Sequence, residues 1–190
     1  MNAPIHHPVP HTIVNNGWIQ TLQGLKIYPA DPKPEQIVIG DIAGALSKMC
    51  RYNGHCKLFY SVAEHCVLVA SKVSDTYKLE ALMHDASEAY IADIARPVKP
   101  LLTNYGEIED RLMRVIAAKY DFNWPLPSEV KDLDTAILRD EREQIMTPMM
   151  VPPSAWGDTR EGLGVEIKFW EPCKAEYEFL TAFYRYGGKN

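Results

Sequence analysis

The sequence predicts an all-α helical bundle carrying a small N-terminal β-hairpin, on three observations. From Asp41 onward, apolar residues recur at the spacing of a buried helix face. Capping patterns and Gly or Pro stops punctuate those stretches. Before Asp41 the only regular pattern is short and weakly alternating, broken at Asn15-Asn16-Gly17 and Gln23-Gly24. Such punctuation suits a hairpin or meander. The 190-residue chain, 46% hydrophobic and 24% charged, suits one globular domain with a sizeable core. It divides into an N-terminal extension with the hairpin (1–34), a helical core (41–145) and a loop with a C-terminal helix (147–190).

Residues 1–10 are rich in Pro and His and read as loose, and His6, His7 and His11 read as tail residues. The hairpin is expected between Thr12 and Tyr28, and Pro29 to Pro34 is a connector. Asp41 caps the first expected helix, whose inner side carries Ile42, Ala45, Leu46 and Met49, and Gly54 marks its stop. Ser61-Val62-Ala63-Glu64 is a capping box opening a helix to about Val73, with Val62, His65, Cys66, Val69 and Val73 inward. The next helix is expected from Lys78 to Ile94, broken by Arg96-Pro97. Asn104-x-x-Glu107 opens another, and Ser128 caps one bearing Val130, Leu133, Asp134, Ile137, Leu138 and Glu141. Residues 147–165 read as a long surface loop. Pro172 suits a first helical turn, with Ala175, Phe179, Ala182 and Phe183 on the inner face behind it. Phe179 and Phe183 suit a partner's surface as well as the core.

Composition excludes several functions. A net charge of −5 opposes a nucleic-acid-coating surface. No run approaches the ~20 apolar residues that a membrane span requires. The N-terminus lacks the basic and apolar regions of a secretory signal, so a cytoplasmic location is expected. Cys50, Cys56, Cys66 and Cys173 form no C-x-x-C pair and read as reduced thiols.

His65, His84, Asp85 and Asp134 intrude on three stretches that read as helix. Buried imidazole and carboxylate are costly without partners, and one divalent cation would partner all four. This donor set suits Co, Mn, Zn, Ni or Fe. Each residue alone has a plainer reading, as a satisfied core histidine, a chance His-Asp pair or a surface acid. The joint pattern favours a ligand set. His84 and Asp85, adjacent on a helix, diverge by about 100° and would reach one ion only from the helix edge. Glu88, one turn beyond, could act as general acid or base, and Asp93 could orient a ligand or accept from a sugar hydroxyl. Arg51 and Lys99 offer phosphate donors, with Lys57, Arg96 and His55 as further candidates. Trp18, Tyr52 and Tyr60 offer rings for a base, although packing is the commoner fate of such rings.

Arg51, Ala63-Glu64-His65, Leu82-Met83-His84-Asp85-Ala86-Ser87-Glu88, Asp93, Pro97-Val98-Lys99 and Asp134 together resemble the HD-domain phosphohydrolase superfamily. The likeness covers about Asp41 to Glu141, roughly half the chain, and is nearest to bacterial 5′-deoxynucleotidases and phage dATP triphosphohydrolases. It implies an HD-domain helical bundle in which His65, His84, Asp85 and Asp134 bind the metal. Glu88 would be the catalytic carboxylate, Asp93 would lie against the sugar or support the site, and Arg51 and Lys99 would contact phosphate. The implied substrate is a deoxyribonucleotide, deoxyadenine nucleotides favoured, with one or three phosphates released. Homo-oligomers are implied too. Such enzymes often carry Arg-Trp where this chain has Arg51-Tyr52. A non-catalytic nucleotide-binding regulatory module is the alternative, and a helical protein without metal is a third.

Overall fold

The structure, a computed structural model, describes residues 17–148, 150 and 160–189. The expectations for Thr12–Val14, for His6, His7 and His11, and for most of 147–159 lie outside the described residues.

The described chain is mostly helical with one two-stranded antiparallel sheet. Strands β1 (Ile19–Gln20) and β2 (Lys26–Ile27) pair Ile19 with Ile27 and Gln20 with Lys26. The α-helices are α1 (Ile39–Leu46), α2 (Val62–Lys72), α3 (Lys78–Met83), α4 (Glu88–Ile91), α5 (Tyr105–Tyr120), α6 (Ser128–Ile145) and α7 (Pro172–Arg185). Short 3-10 turns fall at Pro34–Gln36, Arg51–Gly54, Asp75–Tyr77 and Lys99–Leu101. Helix α2 is the hub, packing on α3, α6 and α7, while α1 packs on α7 and α4.

Local chemistry explains most boundaries, with six corrections. The Ser61 hydroxyl accepts the Glu64 N–H at 3.1 Å, a cap that contributes about 1 kcal/mol. The reciprocal half of the expected box is not made, because the buried Glu64 carboxylate instead accepts the Lys168 and Trp170 N–H groups at 2.7 and 2.8 Å. Asp41 sits inside the first turn of α1, accepting the Gln23 N–H at 2.7 Å, and α1 stops at Leu46, well before Gly54. Asn104 precedes α5 with φ of 69° and makes no side-chain cap, and Ser128 is the first residue of α6 rather than its cap. The expected helix 78–94 is broken: α3 ends at Met83 and α4 begins at Glu88. Between them the backbone closes i→i−3 bonds, from Ala86 N–H to Met83 O and from Glu88 N–H to Asp85 O, each 3.0 Å.

Residues 160–171 form no helix, yet they are no loose surface loop. Asp140 on α6 accepts the Gly164 N–H at 3.1 Å, and Gln144 holds Val165 O and Ile167 N–H at 2.8 and 3.0 Å. With Glu64 on α2, these side chains fasten the segment across both helices, and its own Val165 and Ile167 are buried. Phe179 and Phe183 lie wholly inside the core, with Phe183 edge-on to Tyr120 at 5.2 Å. They are therefore core residues and not a partner's surface. Gly188 closes over the Phe183 ring so tightly that a Cβ there would stand 2.4 Å from Cζ. Phe179→Ala is expected to destabilise the fold by about 3–5 kcal/mol through lost burial and an unfilled cavity, read by denaturant melts.

Candidate metal centre

Three elements meet at the centre. His65 projects from α2, His84 and Asp85 from the turn after α3, and Asp134 from the middle of α6. His84 keeps helical dihedrals, φ −60° and ψ −31°, so it and the adjacent Asp85 reach the centre from the edge of this tight turn. Both then aim at one point, with His84 Nε2 3.3 Å from Asp85 Oδ2. His65 Nε2 lies 3.2 Å from His84 Nε2, 3.2 Å from Asp134 Oδ1 and 3.9 Å from Asp85 Oδ2. His84 Nε2 lies 3.6 Å from Asp134 Oδ1. Ligands about 2.1 Å from one ion stand roughly 3.0 to 3.4 Å apart; the 3.2 and 3.3 Å separations fall in that range, and those of 3.6 and 3.9 Å lie just beyond it.

The opposite ring nitrogens make the fit sharper. His84 Nδ1 donates to Ala81 O at 2.7 Å, and His65 Nδ1 donates to Glu141 Oε1 at 2.7 Å. A carbonyl oxygen and an ionised carboxylate can only accept, so both Nδ1 atoms carry hydrogen. The two Nε2 atoms then face each other and two carboxylates, whose oxygens can accept a proton from a ring. Burial opposes charge on His84, but Asp85 and the neighbouring groups outweigh it and raise its affinity for that proton. Burial likewise raises the Asp85 carboxyl, and His84 overrides it, holding it down at about 2. A divalent cation would replace the proton and satisfy all four atoms, so the residues present fit a metal.

Glu141 is the residue that sequence reasoning left unassigned. It lies seven residues after Asp134 on the same face of α6, wholly buried. Besides His65 it receives the Tyr60 hydroxyl at 2.9 Å, Arg51 Nη2 at 3.2 Å and the Tyr52 hydroxyl. The i+7 spacing from a candidate ligand was its only sequence signal. Burial pushes its carboxyl up, but Arg51 and His65 win and bring it down to about 2. It thus binds fewer protons folded than unfolded, where ~4.3 is usual. Its contribution to stability is fully present above that value and is lost as pH falls from there toward 2. Glu141→Gln should therefore flatten the fall in melting temperature across that window. It should also weaken metal binding about 10- to 100-fold in a chelator competition, as losing an outer partner of a ligand does.

An open cleft of about 530 Å³ lies against the cluster, and Asp85 and Asp134 form part of its wall. Arg51, Tyr52, His55, Glu88, Asp93 and Lys99 also line it. Arg96 lines it too, donating to Asp134 Oδ2 at 3.3 Å. Arg51 is committed more deeply than expected, since its guanidinium serves Glu141 and lies 3.7 Å from Asp85 Oδ2. Glu88 is 3% exposed, with Oε1 3.5 Å from Lys99 Nζ and Oε2 without a protein partner. Burial, Asp85 and Asp93 push its carboxyl up to about 9 in the metal-free protein.

Three expected contacts are not among the cleft residues. Trp18 is 51% exposed on the hairpin, its ring under Lys26. Tyr60 is wholly buried, so its face cannot stack on a base. Lys57 is exposed beyond the cleft wall. Ile94, Pro97, Leu138 and Met146 supply apolar wall that sequence reasoning did not assign. Cys66 brings a thiol within 4.8 Å of ligand atoms on His84 and Asp85. Burial pushes that thiol up to about 11, keeping it neutral, so the nitrogen and oxygen donors are the ones ready to bind.

Among the described residues no helix is long and apolar enough to cross a membrane. The chain is 41% identical over 128 residues to the uncharacterized protein YfdR of Escherichia coli strain K12, spanning 67% of this chain and 72% of that one. It is 34% identical over 146 residues to the uncharacterized protein RCAP_rcc00048 of Rhodobacter capsulatus, spanning 70% of this chain and 74% of that one. No protein-family model matches it.

Proposed function

The chain belongs to the family of YfdR and RCAP_rcc00048, and we propose that it is a metal-dependent phosphohydrolase cleaving the 5′-phosphate ester of a deoxyribonucleotide. One observation carries the reading. Two imidazole Nε2 atoms and two carboxylates converge with both Nδ1 hydrogens already committed, at the wall of a cleft lined by Arg51, Arg96, Lys99 and a buried carboxyl. The likeness to HD-domain phosphohydrolases points the same way and supplies the preference for deoxyadenine nucleotides.

His65, His84, Asp85 and Asp134 would hold the cation. When bound, it supplies Lewis acidity toward a phosphoryl oxygen and acidifies water. Glu141 keeps His65 in the tautomer whose Nε2 is bare, and Ala81 O does so for His84. Arg96 holds Asp134 Oδ2 and so leaves Oδ1 turned to the cluster. Lys99 and Arg51 place fixed positive charge where phosphoryl oxygens gain negative charge. Glu88 enters as the protonated acid. A bond from the water oxygen to phosphorus forms as the bond from phosphorus to the 5′ oxygen breaks; Glu88 gives the departing oxygen its proton, and the proton lost by the water restores Glu88. Asp93 stands beside Glu88 and helps keep that proton in place. Ile94, Pro97, Leu138 and Met146 offer apolar surface to sugar and base, and Tyr52 lines the same cleft.

The test is product analysis with dAMP and dATP beside other nucleotides, in Co or Mn. Release of phosphate from dAMP, or of triphosphate from dATP, is expected. Absence of turnover on every nucleotide at high enzyme concentration would overturn the reading.

A further inference from the structure

The cysteines of the described residues are free thiols, and two of them touch. Cys50 and Cys56 are both half-buried, with Sγ atoms 3.4 Å apart. Cys66 is buried, and Cys173 is exposed near the start of α7. The paired sulfurs stand at the foot of the turn Arg51–His55, whose Arg51, Tyr52, Asn53 and His55 line the cleft. The turn has an uncommon shape. Tyr52, Asn53 and Gly54 follow one another at φ of 56°, 52° and 81°, a left-handed run that side-chain-bearing residues rarely adopt. It is tied at its base by the Arg51 N–H to Tyr60 O bond and across its middle by the His55 N–H to Tyr52 O bond, each 2.9 Å.

We propose that Cys50 and Cys56 are a redox pair whose disulfide fastens the Arg51–His55 turn in its cleft-lining shape. The two sulfurs, six residues apart, need to close only from 3.4 Å to about 2.05 Å to bond. With hydrogen peroxide as oxidant, one sulfur attacks a peroxide oxygen. The O–O bond breaks, an S–O bond forms and one water leaves. The second sulfur then displaces that oxygen: S–S forms, S–O breaks and the thiol proton departs with a second water. Two electrons pass from the sulfurs to the peroxide, and a dithiol reductant returns them. The covalent tie removes open conformations of the turn from the ensemble, which raises the share of molecules with the cleft wall formed. This pairing depends on the thiols and the turn, and not on the hydrolytic reading.

The experiment compares reduced and peroxide-treated full-length chain by peptide mapping and by the rate of tryptic cleavage after the exposed Lys57, which adjoins the turn. A Cys50–Cys56 crosslink is expected, with cleavage slowed at least about fivefold and restored by dithiothreitol. C173S should behave as the parent, and C56S should show no peroxide effect. If C56S does not fold, the reduced and oxidised parent still carry the test. The proposal is overturned if Cys50 and Cys56 stay free or are crosslinked elsewhere. It is equally overturned if their disulfide forms and the cleavage rate is unchanged.

Discussion

His65→Ala and Asp134→Ala are each expected to strip the bound metal. Each removes one donor from a four-donor set and leaves the opposing groups facing one another. In His65→Ala the Glu141 carboxylate loses the Nδ1 hydrogen it accepts at 2.7 Å. In Asp134→Ala, Arg96 loses its acceptor, and both Nε2 atoms lose the oxygen lying 3.2 and 3.6 Å away. Loss of an outer partner costs about 10- to 100-fold in metal affinity, so loss of a direct ligand should exceed ~100-fold. Elemental analysis after dialysis against buffered free metal reads this directly, and turnover should vanish with the metal. Stoichiometric metal retained by both variants would sink the ligand assignment. The parent's affinity should also fall as pH drops, because the cation competes with the proton that His84 holds with raised affinity.

Glu88→Gln should separate chemistry from metal binding. The Glu88 carboxyl is paired with Lys99 and not with the four donor side chains by any hydrogen bond among the described residues, and its Oε2 has no protein partner. The amide keeps the shape and removes the transferable proton. Turnover should fall by about 10²- to 10⁴-fold, the usual worth of a positioned acid, while metal content stays at the parent level. Stability should move the other way. With its folded value at about 9, Glu88 binds more protons folded than unfolded between ~4.3 and 9. It therefore costs the metal-free fold progressively more as pH rises through that window, and the neutral amide escapes the cost. Glu88→Gln should melt higher than the parent at pH 8 and about equal to it near pH 4. Turnover within twofold of the parent would remove Glu88 from the mechanism. An unchanged melting difference between the two pH values would contradict its buried, protonated state.

Much of the fold was legible along the chain. The Ser61 cap, the stripe of α2 and Pro172 at the head of α7 all read correctly, because each depends on residues within a turn of one another. The broken helix did not. Leu79, Leu82, Met83, Ala86 and Tyr90 keep apolar spacing straight through the turn at 84–87, so periodicity alone reported one helix. The Ser61 box was half wrong for a related reason. Glu64 had a choice between its own helix start and a segment 104 and 106 residues away, and the distant backbone won. Glu141 looked like one acid among several on α6, and Trp18 looked like a ring in search of a base.

Residue types and their intervals on single helices were enough to nominate His65, His84, Asp85 and Asp134 as donors to one cation, since the chemistry of imidazole and carboxylate belongs to the side chains themselves. Which nitrogen of each ring stays bare, which acid is ionised and which is protonated, and which cations face the cleft were decided only when α2, the turn after α3 and α6 came together. Those properties arise from burial and from charges brought within about 4 Å by packing, and no neighbour along the chain supplies them.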